Sequence, residues 1–332
     1  MPILQRDILM LSALLGRLKF FRELRQGNTG DAIFRGLALF FALTILIVTF
    51  GIIYELWVQS SLSREAFGWG FLWSTEYDPP NQRFGALQFI FGTVVTSILA
   101  ILVAGPIGVG IAAYLVEIAP RRLSDIVGVV VELLAAVPSI VYGLWGFVVL
   151  APWLRDYIVP PLQAMLGWTP LFSGNFFGPS VLTGGIILAI MILPTVTAIS
   201  RDVIRAVPND QREAMLALGA TRWEMFRRAV LPYARAGIVG AIILGLGRAA
   251  GETMAITLVI GNAPRLFSSL LDQGATMASI IASTFAEAGS RMFISALIEI
   301  GLILFAVTFL INVGARLLVY VFSRGPQGGL RA

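Results

Sequence analysis

Few side chains in the apolar stretches of this chain can do chemistry. Arg248 and Glu252 stand in the run Gly-Leu-Gly-Arg-Ala-Ala-Gly-Glu-Thr-Met-Ala, near the middle of a segment long enough to cross a bilayer. A charge there costs at least ~2.5–3.5 kcal/mol on insertion scales, so such residues face a protein interior or an aqueous path. Four apart on one helix, the two share a face and can pair. One reading is an Arg–Glu pair that only locks helices together. The other is an anion site, with Arg248 as a permanently charged, planar donor for an oxyanion and Glu252 holding it while the site is empty. Two more acids are buried by sequence. Glu132 precedes Leu133-Leu134-Ala135-Ala136-Val137-Pro138-Ser139. Pro138 should break or kink that segment and free backbone groups that can line a path, with Ser139 beside them. Glu132 reads either as helix-end packing or as part of a gate. Glu299, in the last apolar segment, is open to a structural or a functional role.

Other chemistries are excluded by what is missing. The sequence has no Cys and no His. That removes thiol nucleophiles, disulfides, imidazole bases and most transition-metal sites. Its one lysine, Lys19, lies in Gly16-Arg17-Leu18-Lys19-Phe20, which is not the Gly-rich, Lys-terminated loop of a nucleotide site. Glycines 105, 108 and 110, and 245, 247 and 251, read as close-packing positions within spans.

The elements that position these residues are membrane helices. The 332 residues are 57% hydrophobic and 13% charged, with a mean hydropathy of +0.85. A soluble domain is about a quarter charged. Six segments reach the ~20 residues of a span: Phe34–Leu56, Ala86–Glu117, Ile126–Leu150, Ser180–Ser200, Ala236–Ile260 and Met292–Tyr320. The expected fold class is all-α, a polytopic six-helix bundle. Residues 1–33 form an N-terminal segment, amphipathic over Ile3–Phe20, and residues 323–332 a tail flanking the membrane domain at 34–322.

Eighteen Lys and Arg fall before span one, between spans two and three, between four and five, and at the end of span six. Five fall on the other side: Arg64, Arg83, Arg155, Arg265 and Arg291. The positive-inside rule puts both termini and the 201–235 loop in the cytoplasm. The formal charge of +5 reflects that bias and does not point to nucleic acid.

A short polar stretch after the fourth apolar segment runs from Pro208 to Pro232 as PNDQREAMLALGATRWEMFRRAVLP. Asp210 and Glu213 have capping-box spacing for one helix, with Ala214, Met215, Ala217 and Leu218 as its apolar face. Gly219 can end it in the left-handed conformation. Thr221 and Glu224 form a second capping box, and Trp223, Phe226 and Val230 carry a helix expected to stop at Pro232. Glu213-Ala214, then Gly219, then Leu231-Pro232 resembles the EAA loop of bacterial ABC importer permeases. Met215 departs from that pattern where a second Ala is usual.

Further motifs extend the resemblance over about residues 30–320. Phe84-Gly85-Ala86-Leu87, Gly92-Thr93, Pro138-Ser139-Ile140-Val141-Tyr142-Gly143 and Gly247-Arg248-Ala249-Ala250-Gly251-Glu252-Thr253-Met254-Ala255 look like phosphate-specific ABC importer permeases of the PstC type. The companion permease of such systems has Ala-Pro where Met254-Ala255 stand. The resemblance implies a type I importer fold in the bacterial inner membrane and a heterodimer with a second permease. It implies two ATPase subunits carrying ATP and magnesium, with no cofactor on this chain, and a phosphate-binding protein outside. Glu213, Ala214, Leu218 and Gly219 would then couple to the ATPase, and Arg248 and Glu252 would lie on the substrate path. A permease for sulfate or molybdate, or a signalling partner of a binding protein, is the alternative.

Overall fold

The computed structural model describes residues 29–323. The amphipathic segment Ile3–Phe20 and the tail after Ser323 lie outside them. Regular structure among the described residues is helical, with two isolated β-bridges. By its packing the chain divides after Val58. The first unit holds α1 (Thr29–Gln59). Its large apolar side chains, Phe34, Phe41, Ile47 and Phe50 among them, are exposed. A helix apolar on all sides is made for lipid or for another membrane protein.

The second unit contains α2 (Ser61–Phe67), α3 (Leu87–Glu117), α4 (Arg121–Ala136), α5 (Ser139–Leu166), α6 (Val181–Arg205), α7 (Asn209–Ala217), α8 (Arg222–Ala250), α9 (Met254–Val259), α10 (Met277–Thr284) and α11 (Arg291–Ser323). Four of these, α3, α6, α8 and α11, are long and apolar enough to span a bilayer, as is α1. Helix α6 is the centre. Two thirds of its most apolar window is buried, 67% against 33% for α3 and α8. It starts where Ser180 Oγ accepts the Thr183 amide, a side-chain N-cap. Lipid is as apolar as leucine, so close backbone approach rather than water exclusion holds such helices together. Small residues supply it here. A Cβ on Gly108 would lie 3.0 Å from Val196 Cγ1, one on Gly245 2.9 Å from Val196 Cγ2, and one on Gly185 2.3 Å from Leu99 Cδ2.

Two expected spans are broken. The third, Ile126–Leu150, is not one helix: α4 and α5 meet at an angle of 91°. Pro138 lacks an amide and drives Val137 into extended backbone, at φ −65° and ψ 129°. The fifth, Ala236–Ile260, stops at Ala250, and α9 begins afresh at Met254. At its other end α8 starts early, because Thr221 and Glu224 form the expected capping box. It then runs through Pro232. A wide π-type turn at Phe226–Val230 shifts the hydrogen bonds, so that the Leu231 amide reaches the Phe226 carbonyl. The missing proline amide is absorbed there instead of ending the helix.

Candidate functional site

The break between α8 and α9 separates the two residues that continuous helix would have paired. Arg248 is in the last turn of α8, and Glu252 lies beyond its end. Among the described residues, no ion pair joins them or gives Arg248 any carboxylate partner. Arg248 Nη1 instead donates to Thr195 Oγ1 on α6 at 3.1 Å. Thr195 follows Pro194, which lies inside the helix. Glu252 turns the other way and accepts the Ala255 amide at 3.1 Å, satisfying a free N–H at the start of α9. It holds the break rather than the arginine.

The break in the third span adjoins this one. Helix α5 packs its Gly143 and Gly146 against α9. A Cβ on Gly143 would lie 2.8 Å from Ala255 Cα, and one on Gly146 3.0 Å from Val259 Cγ1. Tyr142, between α5 and that contact, donates its hydroxyl to the Leu134 carbonyl at 2.8 Å. The same carbonyl, which the missing Pro138 amide would have met in a continuous helix, also accepts the Val137 amide at 3.3 Å. The half-buried Arg248 guanidinium sits against the proline-containing α6. Fixed donors at unwound helix ends are how membrane proteins hold anions at depth.

The other candidates are placed elsewhere. Glu132 on α4 pairs with Arg201 of α6 at 3.0 Å, with the carboxylate side 62% and the arginine 12% exposed. Arg201 passes over Gly128, where a Cβ would lie 1.9 Å from its Nη1. Ser139 opens α5, with Pro138 as its cap residue. Glu299 is buried on α11 at 5% exposure, beside Ser63 and within range of the Arg64 charge. Gly247 sits against Asn312 of α11. Glu299 is thirteen residues from Asn312, roughly 20 Å along the helix, so it is not brought to Arg248.

The polar insert forms a helical hairpin. Helix α7 begins at Asn209 after Pro208 with no side-chain cap, so the Asp210–Glu213 capping box does not form. Gly219 takes φ +84°, the left-handed turn. Glu213, Ala214, Ala217 and Leu218 are exposed, Leu218 at 84%. Met215 turns inward to the cluster of Ile204, Val207 and Met225. Arg212 fastens the hairpin. Its Nε and Nη2 both donate to Glu117 Oε1 at the end of α3, at 3.1 and 3.0 Å. It also donates to the carbonyls of Ile204 and Val207 at the end of α6. Thr195, Tyr142, Arg212 and Gly128 were not singled out by sequence. A threonine after a proline in an apolar helix was the one local signal available.

The family described as binding-protein-dependent transport system inner membrane component matches residues 104–326. The phosphate transport system permease protein PstC of Mesorhizobium japonicum is 46% identical over 290 residues, covering 86% of this chain and 89% of that protein. PstC of Pasteurella multocida is 44% identical, covering 87% and 91%. Among solved structures, a bacterial ABC transporter involved in import of the acidic polysaccharide alginate aligns with a TM-score of 0.61 at 15% identity, over 92% of this chain and all of that one. An inward-facing MetNI methionine ABC transporter aligns with a TM-score of 0.52 over 72% of this chain and 96% of that one. The helical fold is that of ABC importer permeases, and this chain belongs to the binding-protein-dependent transport system inner membrane components.

Proposed function

We propose that this chain is a permease subunit of an ATP-driven phosphate importer. It lines the translocation path with a second permease and receives its energy through α7 from separate ATPase subunits. The carrying observation is Arg248: a permanent charge inside a helical bundle, held by the Thr195 hydroxyl and free of any carboxylate among the described residues. An arginine spent on a structural ion pair would have a carboxylate against it. One kept by a neutral hydroxyl retains its charge for an incoming oxyanion and keeps its fork nearly in place. Relatives at 44–46% identity are phosphate transport permeases, which favours phosphate over sulfate or molybdate.

The exposed apolar residues of α7, Ala214 and Leu218, are the docking face, and Glu213 beside them is available to a basic residue of the ATPase. Arg212 ties that face to the ends of α3 and α6, so a push on α7 is delivered to two membrane helices. Both termini and the hairpin are on the cytoplasmic side, and a soluble phosphate-binding protein delivers from the other.

The test is uptake of radiolabelled phosphate into proteoliposomes holding this chain with its second permease, ATPase and loaded binding protein. Phosphate is expected to accumulate with ATP, arsenate to compete and sulfate not to. Competition by sulfate equal to that by arsenate would shift the substrate to another oxyanion. Stimulated ATPase without uptake would leave a signalling partner.

A further inference from the structure

A cavity of about 460 Å³ opens where α3, α4, α6 and α7 converge, with neither Arg248 nor any residue of α9 in its lining. Arg121, Arg205 and Arg212 line it, together with Glu117, Asp125 and Ser124. Glu117 and Arg212 neutralise each other. Arg121 and Arg205 form no ion pair among the described residues. Against the single remaining carboxylate of Asp125, the balance is positive.

Two helix starts add to it. Helix α4 begins at Arg121 after Pro120, and α7 at Asn209 after Pro208, neither with a side-chain cap. Their first amides have no intrahelical acceptor, and each start carries roughly half a positive charge. The opposing end of α6 is already answered, since Arg212 donates to its Ile204 and Val207 carbonyls. An independent observation points to a ligand. Ser124 is 4% exposed, lines the cavity, and its Oγ has no hydrogen-bond partner. A buried hydroxyl without a partner is uncommon, because leaving it so costs about 1–3 kcal/mol.

We propose that this cavity binds a phosphate group, with Arg121 and Arg205 as charged donors, the first amides of α4 completing the shell, and the enclosed Ser124 hydroxyl turning about its Cα–Cβ bond to reach it. Free inorganic phosphate and the headgroup of an anionic phospholipid share that chemistry. The site is separate from the Arg248 path, and it does not depend on what that path carries. Arg212 borders it, so a ligand there sits against the anchor of α7.

Binding to the full-length chain, purified with the subunits it assembles with, tests this. An Arg248→Gln background removes the path residue, so that the two sites succeed or fail separately. Radiolabelled inorganic phosphate is titrated in detergent. Lipid retention is measured by native mass spectrometry after reconstitution with phosphatidylglycerol. One saturable component is expected, either the phosphate or the lipid, weakened tenfold or more by Arg121→Gln with Arg205→Gln. Both of those residues are exposed, and an unchanged melting temperature verifies folding. Ser124→Ala, which removes the hydroxyl and leaves every charge, should weaken the same component. Phosphate binding identifies the free oxyanion and lipid retention the headgroup. Absence of both, or a component unchanged in the Arg121/Arg205 variant, overturns the proposal.

Discussion

Arg212 and Glu117 lie 95 residues apart in sequence and meet through two hydrogen bonds on one carboxylate oxygen, with side chains only 13% and 11% exposed. The pair joins the polar hairpin to the end of a membrane helix. Arg212 also covers two carbonyls at the end of α6, so one guanidinium ties three elements.

Breaking this pair should cost more than deleting it. Arg212→Gln or Glu117→Gln leaves a buried charge uncompensated, at about 3–5 kcal/mol. The double substitution removes both charges and should recover part of the loss. Melting temperatures of the four proteins in detergent form a double-mutant cycle. Single variants as stable as the wild type would show that the pair carries no load.

Gly128 and Arg201 give a second expectation. A Cβ at residue 128 would lie 1.9 Å from the guanidinium, so Arg201, 12% exposed and paired with Glu132, has to give way. Gly128→Ala should therefore destabilise by about 1–3 kcal/mol, the cost of overpacking. Glu132→Gln should cost under about 1 kcal/mol, because its carboxylate is mostly exposed. A thermal shift for Glu132→Gln larger than for Gly128→Ala would reverse this account.

Local pattern revealed the apolar segments, the Thr221–Glu224 capping box and the left-handed turn at Gly219, because each depends on residues a few positions apart. It revealed less about the site. The spacing of Arg248 and Glu252 implies a pair only if the helix runs through Gly251, and the apolar run Met254–Val259 disguises the stop at Ala250. Pro138 did announce its break. The partners that position function, Thr195 for Arg248, Glu117 for Arg212 and Gly128 for Arg201, are long-range neighbours. No periodicity in one segment can disclose them.

Orientation rests on the eighteen-to-five distribution of basic residues. The chain has no cysteine, so single cysteines report cleanly. Ala220→Cys, beside the Gly219 turn, should stay unlabelled by an impermeant maleimide in intact cells and react after permeabilisation. Labelling in intact cells would invert the topology.

The docking face separates coupling from folding. Ala214 is exposed on α7, so Ala214→Arg should change stability by less than about 0.5 kcal/mol. A bulky charge on a face that enters an apolar groove should nevertheless abolish stimulation of ATP hydrolysis by loaded binding protein. Normal stimulation in proteoliposomes would remove α7 from the contact.

Arg248 makes the sharpest expectation, because the geometry distinguishes its partners. Arg248→Gln should abolish uptake at normal expression, and Arg248→Lys should retain part of it, keeping the charge without the planar fork. Thr195→Val removes the acceptor that holds Nη1 and should lower uptake while leaving the charge in place. Glu252→Gln should be mild, because an amide oxygen still accepts the Ala255 N–H. Glu252→Ala loses that cap and should cost about 1 kcal/mol. An ion pair between Arg248 and Glu252 would behave differently: each single neutral variant would lose stability, and the double neutral variant would regain it. With the two side chains turned to separate partners, no such recovery is expected. Uptake and melting temperature measured on the same preparations decide between these outcomes. Near-normal uptake by Arg248→Gln would end the case for an anion site at this position.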